Sequence, residues 1–101
     1  MTRTSLKNVN CSLAQFAEIM GDKWSLLIVR DAFIGVKTFS EFQKRLQIAK
    51  NVLTERLNHL VENGVLTKEP TRPGVERFVY ELTPMGRALF PVGSAIMHWG
   101  D

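Results

Sequence analysis

Residues 38–82 read TFSEFQKRLQIAKNVLTERLNHLVENGVLTKEPTRPGVERFVYEL, and the succession of periods within them decides the fold. Thr38 and Glu41 have the spacing of a capping box, so a helix opens there with Phe39, Phe42 and Leu46 on its inner face. Gln47-Ile48-Ala49 leaves room only for a sharp turn before a second helix. Ala49 is a poor cap, but Ile48 and Leu53 occupy the two ends of a hydrophobic staple that sets the angle of approach instead. Leu53, Leu57, Leu60 and Val61 then recur at helical spacing until Gly64 closes the run. After Gly64 the period falls to about two. Residues 65–69 and 77–82 read as strands, with Phe78, Tyr80 and Leu82 on one face and Arg72-Pro73-Gly74 as the turn between them. The fold class that follows is mainly α with a small β-hairpin: a winged helix-turn-helix, which can lay its second helix in a DNA major groove.

The flanks supply more helices. Ser12 and Gln15 make an S-x-x-Q box, followed by Leu13, Phe16, Ala17 and Met20 at helical spacing, with Gly21 as the stop. Asp22 can cap the next helix, through Trp24, Leu26, Leu27, Ile28, Val29, Ala32 and Phe33. That run is apolar nearly all round, as a central core helix is, and Gly35 ends it. Beyond the hairpin, Thr83-Pro84 offers an N-cap and a proline at the first helical position. The stripe Met85, Leu89, Val92, Ile96 and Trp99 follows, with Pro91 inside it predicted to kink or split the helix.

Composition limits the function classes. The 101 residues, 45% hydrophobic and 23% charged, suit one folded domain over residues 1–101, without linker or repeat. No apolar stretch approaches the roughly 20 residues that cross a bilayer, so no membrane partner is expected. Residues 1–5 carry no export signature, and one cysteine can form no internal disulfide; both predict a reducing cytoplasm. His59 and His98 fall on separate helices, with no nucleophile beside a base, no phosphate-cradling glycine loop and no metal spacing. An enzyme, a metal site and a cofactor are therefore not expected. Between Lys37 and Arg77 there are eight basic residues against five acidic, so the whole net charge of +3 sits on the helix-turn-helix and wing. That is where a phosphate footprint is needed.

With Leu53 and Leu57 turned inward, rotation by about 100° per residue puts Asn51, Thr54, Glu55, Asn58, His59 and Glu62 outward. Lys50 lies at the N-terminal end and Arg56 on the shoulder, and both are expected among the DNA contacts because Lys and Arg read base edges or grip phosphates. Recognition helices read bases with their N-terminal half, which selects Lys50, Asn51, Thr54 and Glu55; Glu55 can accept from cytosine N4 or pair with nearby Lys or Arg. Asn58 and His59 lie further along, toward the DNA backbone. Thr38 and Ser40 at a helix start, beside Lys37, suit phosphate, and Arg72 and Arg77 flank the wing turn. Taken singly, each is also an ordinary solvated side chain; it is the arrangement that points to double-stranded DNA. The rival class is a winged helix used for protein contact, since fold alone does not settle function.

Several stretches together resemble the HxlR-type branch of bacterial winged-helix transcriptional regulators, relatives of MarR. They are residues 21–28 (GDKWSLLI), 39–42 (FSEF), 51–57 (NVLTERL), 76–87 (ERFVYELTPMGR) and Trp99-Gly100, within a likeness that covers residues 11–101. The resemblance implies a homodimer that binds a short inverted repeat and represses or activates nearby genes. It places dimerisation on the terminal helices, residues 11–20 and 84–100, here Leu13, Phe16, Phe90, Ile96, Met97 and Trp99. A chain of this length has too little core to bury both faces, which fits a dimer as their sink. Where the family often has a serine cap before the recognition helix, this chain has Ala49. Some members sense oxidants or electrophiles through a cysteine near the first helix, which implies an oxidant or small-molecule effector and Cys11 as a redox sensor. A thiol just before a capped helix also feels the positive end of the helix dipole, which lowers its pKa. The alternative is a half-buried structural cysteine.

Overall fold

The computed structural model describes residues 12–74 and 77–101. In chain order the elements are α1 (Ser12–Met20), α2 (Lys23–Phe33), α3 (Phe39–Leu46), α4 (Lys50–Glu62), β1 (Leu66–Pro70), β2 (Phe78–Leu82), α5 (Pro84–Arg87) and α6 (Phe90–Gly100). This is the winged helix-turn-helix that the sequence predicts. The starts of three helices sit on their caps. The Asp22 carboxylate accepts from the Ser25 amide at 2.9 Å. The Thr38 hydroxyl accepts from the Glu41 amide at 3.3 Å and donates to the Glu41 carboxylate at 2.9 Å. Thr83 accepts from the Gly86 amide at 2.9 Å, with Pro84 opening the helix. Helix α4 begins at Ala49 with no side-chain cap, and buried Ile48 and Leu53 hold its start instead.

The core lies between α2, α3, α4 and the wing. Ile28, Phe42, Leu53, Leu57 and Leu60 have no exposed surface, and Val65, Leu66 and Tyr80 continue the cluster onto the hairpin. Burial also pushes the Tyr80 phenol up from its ordinary pKa. The central helix α2 departs from its apolar reading at one buried charge. The Asp31 side chain is wholly buried, where it accepts from Arg30 at 3.0 Å and from Arg45 of α3 at 3.2 Å. Two guanidinium partners offset the cost of taking that carboxylate out of water, and Arg45 thereby ties α3 to α2.

Strands β1 and β2 are antiparallel, with Leu66 opposite Leu82, Lys68 opposite Tyr80 and Pro70 opposite Phe78. β1 starts one residue later than its sequence pattern because the Val65 amide is still held by the Leu60 carbonyl at 2.9 Å. The Tyr80 amide donates to the Lys37 carbonyl at 2.7 Å, so the link between α2 and α3 runs beside the wing. Two glycines are required here. Gly64 ends α4 with φ +77°, and a Cβ on Gly86 would lie 2.2 Å from the Val65 carbonyl oxygen.

Of the two outcomes open at Pro91, the helix splits. α5 is a single turn, and α6 restarts with Pro91 in its first turn, where a missing N–H costs little. No residue of α6 is buried.

Candidate nucleic-acid interface

Helix α4 has two faces of opposite character. Leu53, Leu57 and Leu60 are wholly buried, whereas Lys50, Asn51, Thr54, Glu55, Asn58 and Glu62 are exposed. The Thr54 hydroxyl donates to the Lys50 carbonyl at 2.8 Å, so its proton is taken up within the helix and its oxygen is left to accept. One residue of the predicted outer arc, His59, and the shoulder residue Arg56 turn inward instead. His59 is half-buried, with Nε2 2.7 Å from the Ile19 carbonyl oxygen of α1, so this nitrogen carries the proton and donates. His59, expected further along toward the DNA backbone, instead links α4 to α1.

Arg56 is the second. Its side chain is only 17% exposed, and its guanidinium bonds the Asp22 carboxylate at 2.9 Å and the Glu55 carboxylate at 2.6 Å. Asp22 also accepts from the Ser25 hydroxyl at 2.7 Å. Partial desolvation opposes ionisation of Asp22, but the Ser25 hydrogen bonds and the Arg56 charge outweigh it and hold the carboxyl below its ordinary value. For Arg56 desolvation is again the opposing effect, and Glu55 and Asp22 overcome it to raise the pKa. Arg56 therefore fastens α4 to the start of α2. The inward arc is wider than the leucine stripe alone indicates because α1 and α2 both lie against this helix. The spacing of 53, 56, 57 and 60 carries that signal, yet the partners, dozens of residues away, are not readable from it.

The other predicted contacts surround α4. Thr38 is half-buried as a cap and Ser40 is exposed beside it at the start of α3. Lys37 is exposed, 3.8 Å from Glu81 of β2. Arg72 and Arg77 are exposed at the wing, where the Thr71 amide donates to the Arg77 carbonyl at 2.9 Å. Val75 and Glu76 fall outside the described residues, as does Cys11.

The terminal helices expose apolar surface. Leu13, Phe90, Ile96, Met97 and Trp99 are exposed, Trp99 to 89%, while Phe16 is half-buried. Phe90 touches Phe33 edge to face, with ring centroids 5.4 Å apart. An open groove of about 700 Å³ runs between α1, α2 and α6, lined by Phe16, Met20, Leu27, Phe33, Phe90 and Met97 among others. Among the described residues no three potential ligands cluster for a metal, and no helix is long and apolar enough to cross a membrane.

Known proteins share this layout. A family model for the HxlR-like helix-turn-helix matches residues 19–101. An uncharacterized HTH-type transcriptional regulator of Mycobacterium tuberculosis is 40% identical over 90 residues, which is 89% of this chain and 57% of that protein. The chain thus spans little more than half the length of these mycobacterial relatives. Among solved structures, PA1607, described as a candidate transcription factor, superposes with TM-score 0.89 at 49% identity over 96% of this chain and 68% of its own. The redox regulator HypR in its reduced form superposes with TM-score 0.82 at 26% identity, over 89% of this chain and 90% of its own. The named relatives are regulators rather than enzymes. With the buried leucine face, the exposed polar edge and the wing all in place, this chain belongs to the HxlR-like helix-turn-helix family.

Proposed function

We propose that this chain acts in the cytoplasm as a homodimeric, sequence-specific DNA-binding transcriptional regulator, a repressor at an inverted-repeat operator. The observation that carries the proposal is the outer edge of α4. Lys50, Asn51, Thr54, Glu55 and Asn58 lie exposed together while the leucines behind them are wholly buried. In this reading Lys50, Asn51, Thr54 and Glu55 meet base edges, and Asn58 meets the DNA backbone. Lys37, Thr38 and Ser40 hold phosphate at the start of α3, and Arg72 and Arg77 reach the flanking groove as the wing.

Two copies joined through α1 and α6 bury Leu13, Phe16, Phe90, Ile96, Met97 and Trp99, and present two α4 helices about one turn of DNA apart, roughly 34–36 Å. The effector proposed is an oxidant or small electrophile acting on Cys11. The chain's likeness to a protein described as a redox regulator favours it.

The test is footprinting on DNA upstream of the chain's own gene, with binding followed across salt concentration. Expected is a protected inverted repeat and affinity falling with a slope of about −0.9 per phosphate neutralised. A flat salt response with no protected site would favour a protein-contact module. For the effector, Cys11→Ser protein is expected to hold its operator in the presence of diamide that releases the wild type. Equal release of both would remove Cys11 from that role.

A further inference from the structure

Glu55 and Arg56 are neighbours in sequence, and neighbours on a helix do not ordinarily face one another. Here they do, because Arg56 points inward and forks. One arm of its guanidinium reaches Asp22 at the start of α2 at 2.9 Å, and the other returns to Glu55 at 2.6 Å. The far end of this chain is firmly held. Asp22 is itself bonded by the Ser25 amide and hydroxyl, and its side chain is only 20% exposed. The near end is the 70% exposed Glu55 carboxylate, whose contact with Arg56 uses one oxygen and leaves the other as an acceptor on the DNA-facing edge.

We propose that Arg56 is a positioning residue and Glu55 a specificity determinant: the Asp22–Arg56 pair fixes the Glu55 carboxylate so that it selects a base offering a major-groove donor, cytosine N4, at one position of each half-site. This deepens the function proposed above and rests on α4 entering the major groove. Two physical effects support it. A glutamate free to turn loses side-chain entropy on meeting a base, and one already pinned does not. A bare carboxylate is also repelled by the phosphates, and the Arg56 charge 2.6 Å from Glu55 offsets part of that repulsion at the point of approach. Cytosine is the matched base because its major-groove edge presents the N4 donor to a carboxylate, while guanine presents two acceptors and adenine sets the N7 acceptor beside its N6 donor, where it repels a second carboxylate oxygen.

The experiment measures binding to a set of operator duplexes carrying single base-pair changes, and to one unrelated duplex, for wild type, Glu55→Gln, Arg56→Ala and the double variant. Wild type is expected to lose roughly 5- to 150-fold in affinity when one C·G pair per half-site is replaced. Glu55→Gln and Arg56→Ala are each expected to flatten the preference at that pair and no other, and the double variant to flatten it no further. Their effects on the unrelated duplex run in opposite directions: Glu55→Gln removes a negative charge and binds it more tightly, while Arg56→Ala binds it less tightly. A merely structural Arg56 would weaken every duplex by one factor and keep the C·G preference; that result overturns the positioning role. Retention of the preference by Glu55→Gln, an exposed substitution that leaves the core intact, overturns the proposal even if Arg56→Ala does not fold. Wild-type protein that binds no DNA sinks the function itself, whereas selective binding indifferent to Glu55 sinks only this inference.

Discussion

Helices α4 and α6 look alike as strings of residues and differ as parts of the molecule. Each carries an apolar stripe at helical spacing. In α4 the stripe is consumed by the chain's own core, since Leu53, Leu57 and Leu60 are wholly buried. In α6 no residue is buried, and Phe90 and Trp99 stay 59% and 89% exposed. Periodicity reports that a helix has a face to hide. It does not report whether the hiding place lies in the same chain. α4 packs against α2, α3 and the wing and is bonded to α1 through His59, whereas α6 meets the rest of the fold along one side, through contacts such as Phe90 on Phe33.

The largest expected effect tests the α4 half of this contrast. Leu57→Ala should lower unfolding free energy by about 2–5 kcal/mol, measured by urea titration, because it opens a cavity in a site with no exposed surface. A loss below 1 kcal/mol, on the scale of a surface change, would mean that α4 is not anchored as described.

Asp22→Asn probes the tether rather than the stripe. It removes the less exposed of the two carboxylates that hold the partly buried Arg56 and leaves only Glu55, and a loss of roughly 1–3 kcal/mol is expected at neutral pH. The pH dependence follows from the lowered carboxyl pKa. Asp22 binds a proton less readily folded than unfolded, so its stabilisation is fully present above the ordinary value of 3.8 and is lost as pH falls through the lower folded-state value. Wild type should therefore shed more stability than Asp22→Asn in acid titrations followed by circular dichroism. Parallel curves would show that the pair does not matter.

Ile96→Glu tests the α6 half. The side chain is already exposed in the single chain, so the fold should survive with little change in stability at low protein concentration. Sedimentation should show monomer where wild type is dimeric, with operator affinity down about tenfold or more, at least 1.4 kcal/mol. If the variant unfolds instead, α6 contributes to the domain's own core in a way its exposure does not show.

The smallest effect concerns the turn that sets α4 against α3. Gln47 ends α3 in the left-handed region, with φ 51° and ψ 42°. Gln47→Gly relieves that backbone and loosens the unfolded chain, so the two effects oppose each other and a net change below about 1 kcal/mol is expected. A large loss would show that the glutamine side chain has a role beyond its backbone.

Much of the fold was legible because its signals are local. Capping at Asp22, Thr38 and Thr83, stops at Gly35 and Gly64, and the change of period after Gly64 each depend on residues within a turn or two of one another. The family stretches add the order in which these pieces recur. The candidate interface was legible in outline for the same reason: once Leu53 and Leu57 point inward, helical geometry sends Asn51, Thr54, Glu55 and Asn58 the other way. His59 and Arg56 escaped that reasoning because their partners, Ile19 and Asp22, are 40 and 34 residues distant. Nothing local marks Asp31 as buried either, since one of the two arginines that enclose it, Arg45, comes from another helix.

The amino-acid order alone settles which segments coil, which extend and which side of each is oily, because those preferences arise from backbone sterics and hydrogen bonds within a few residues. Three-dimensional packing alone settles which charged groups face inward and which oily faces remain uncovered. Desolvation and ion pairing depend on neighbours that only folding brings together, so Arg56 goes to the interior and Trp99 to the surface, against what either residue's type suggests.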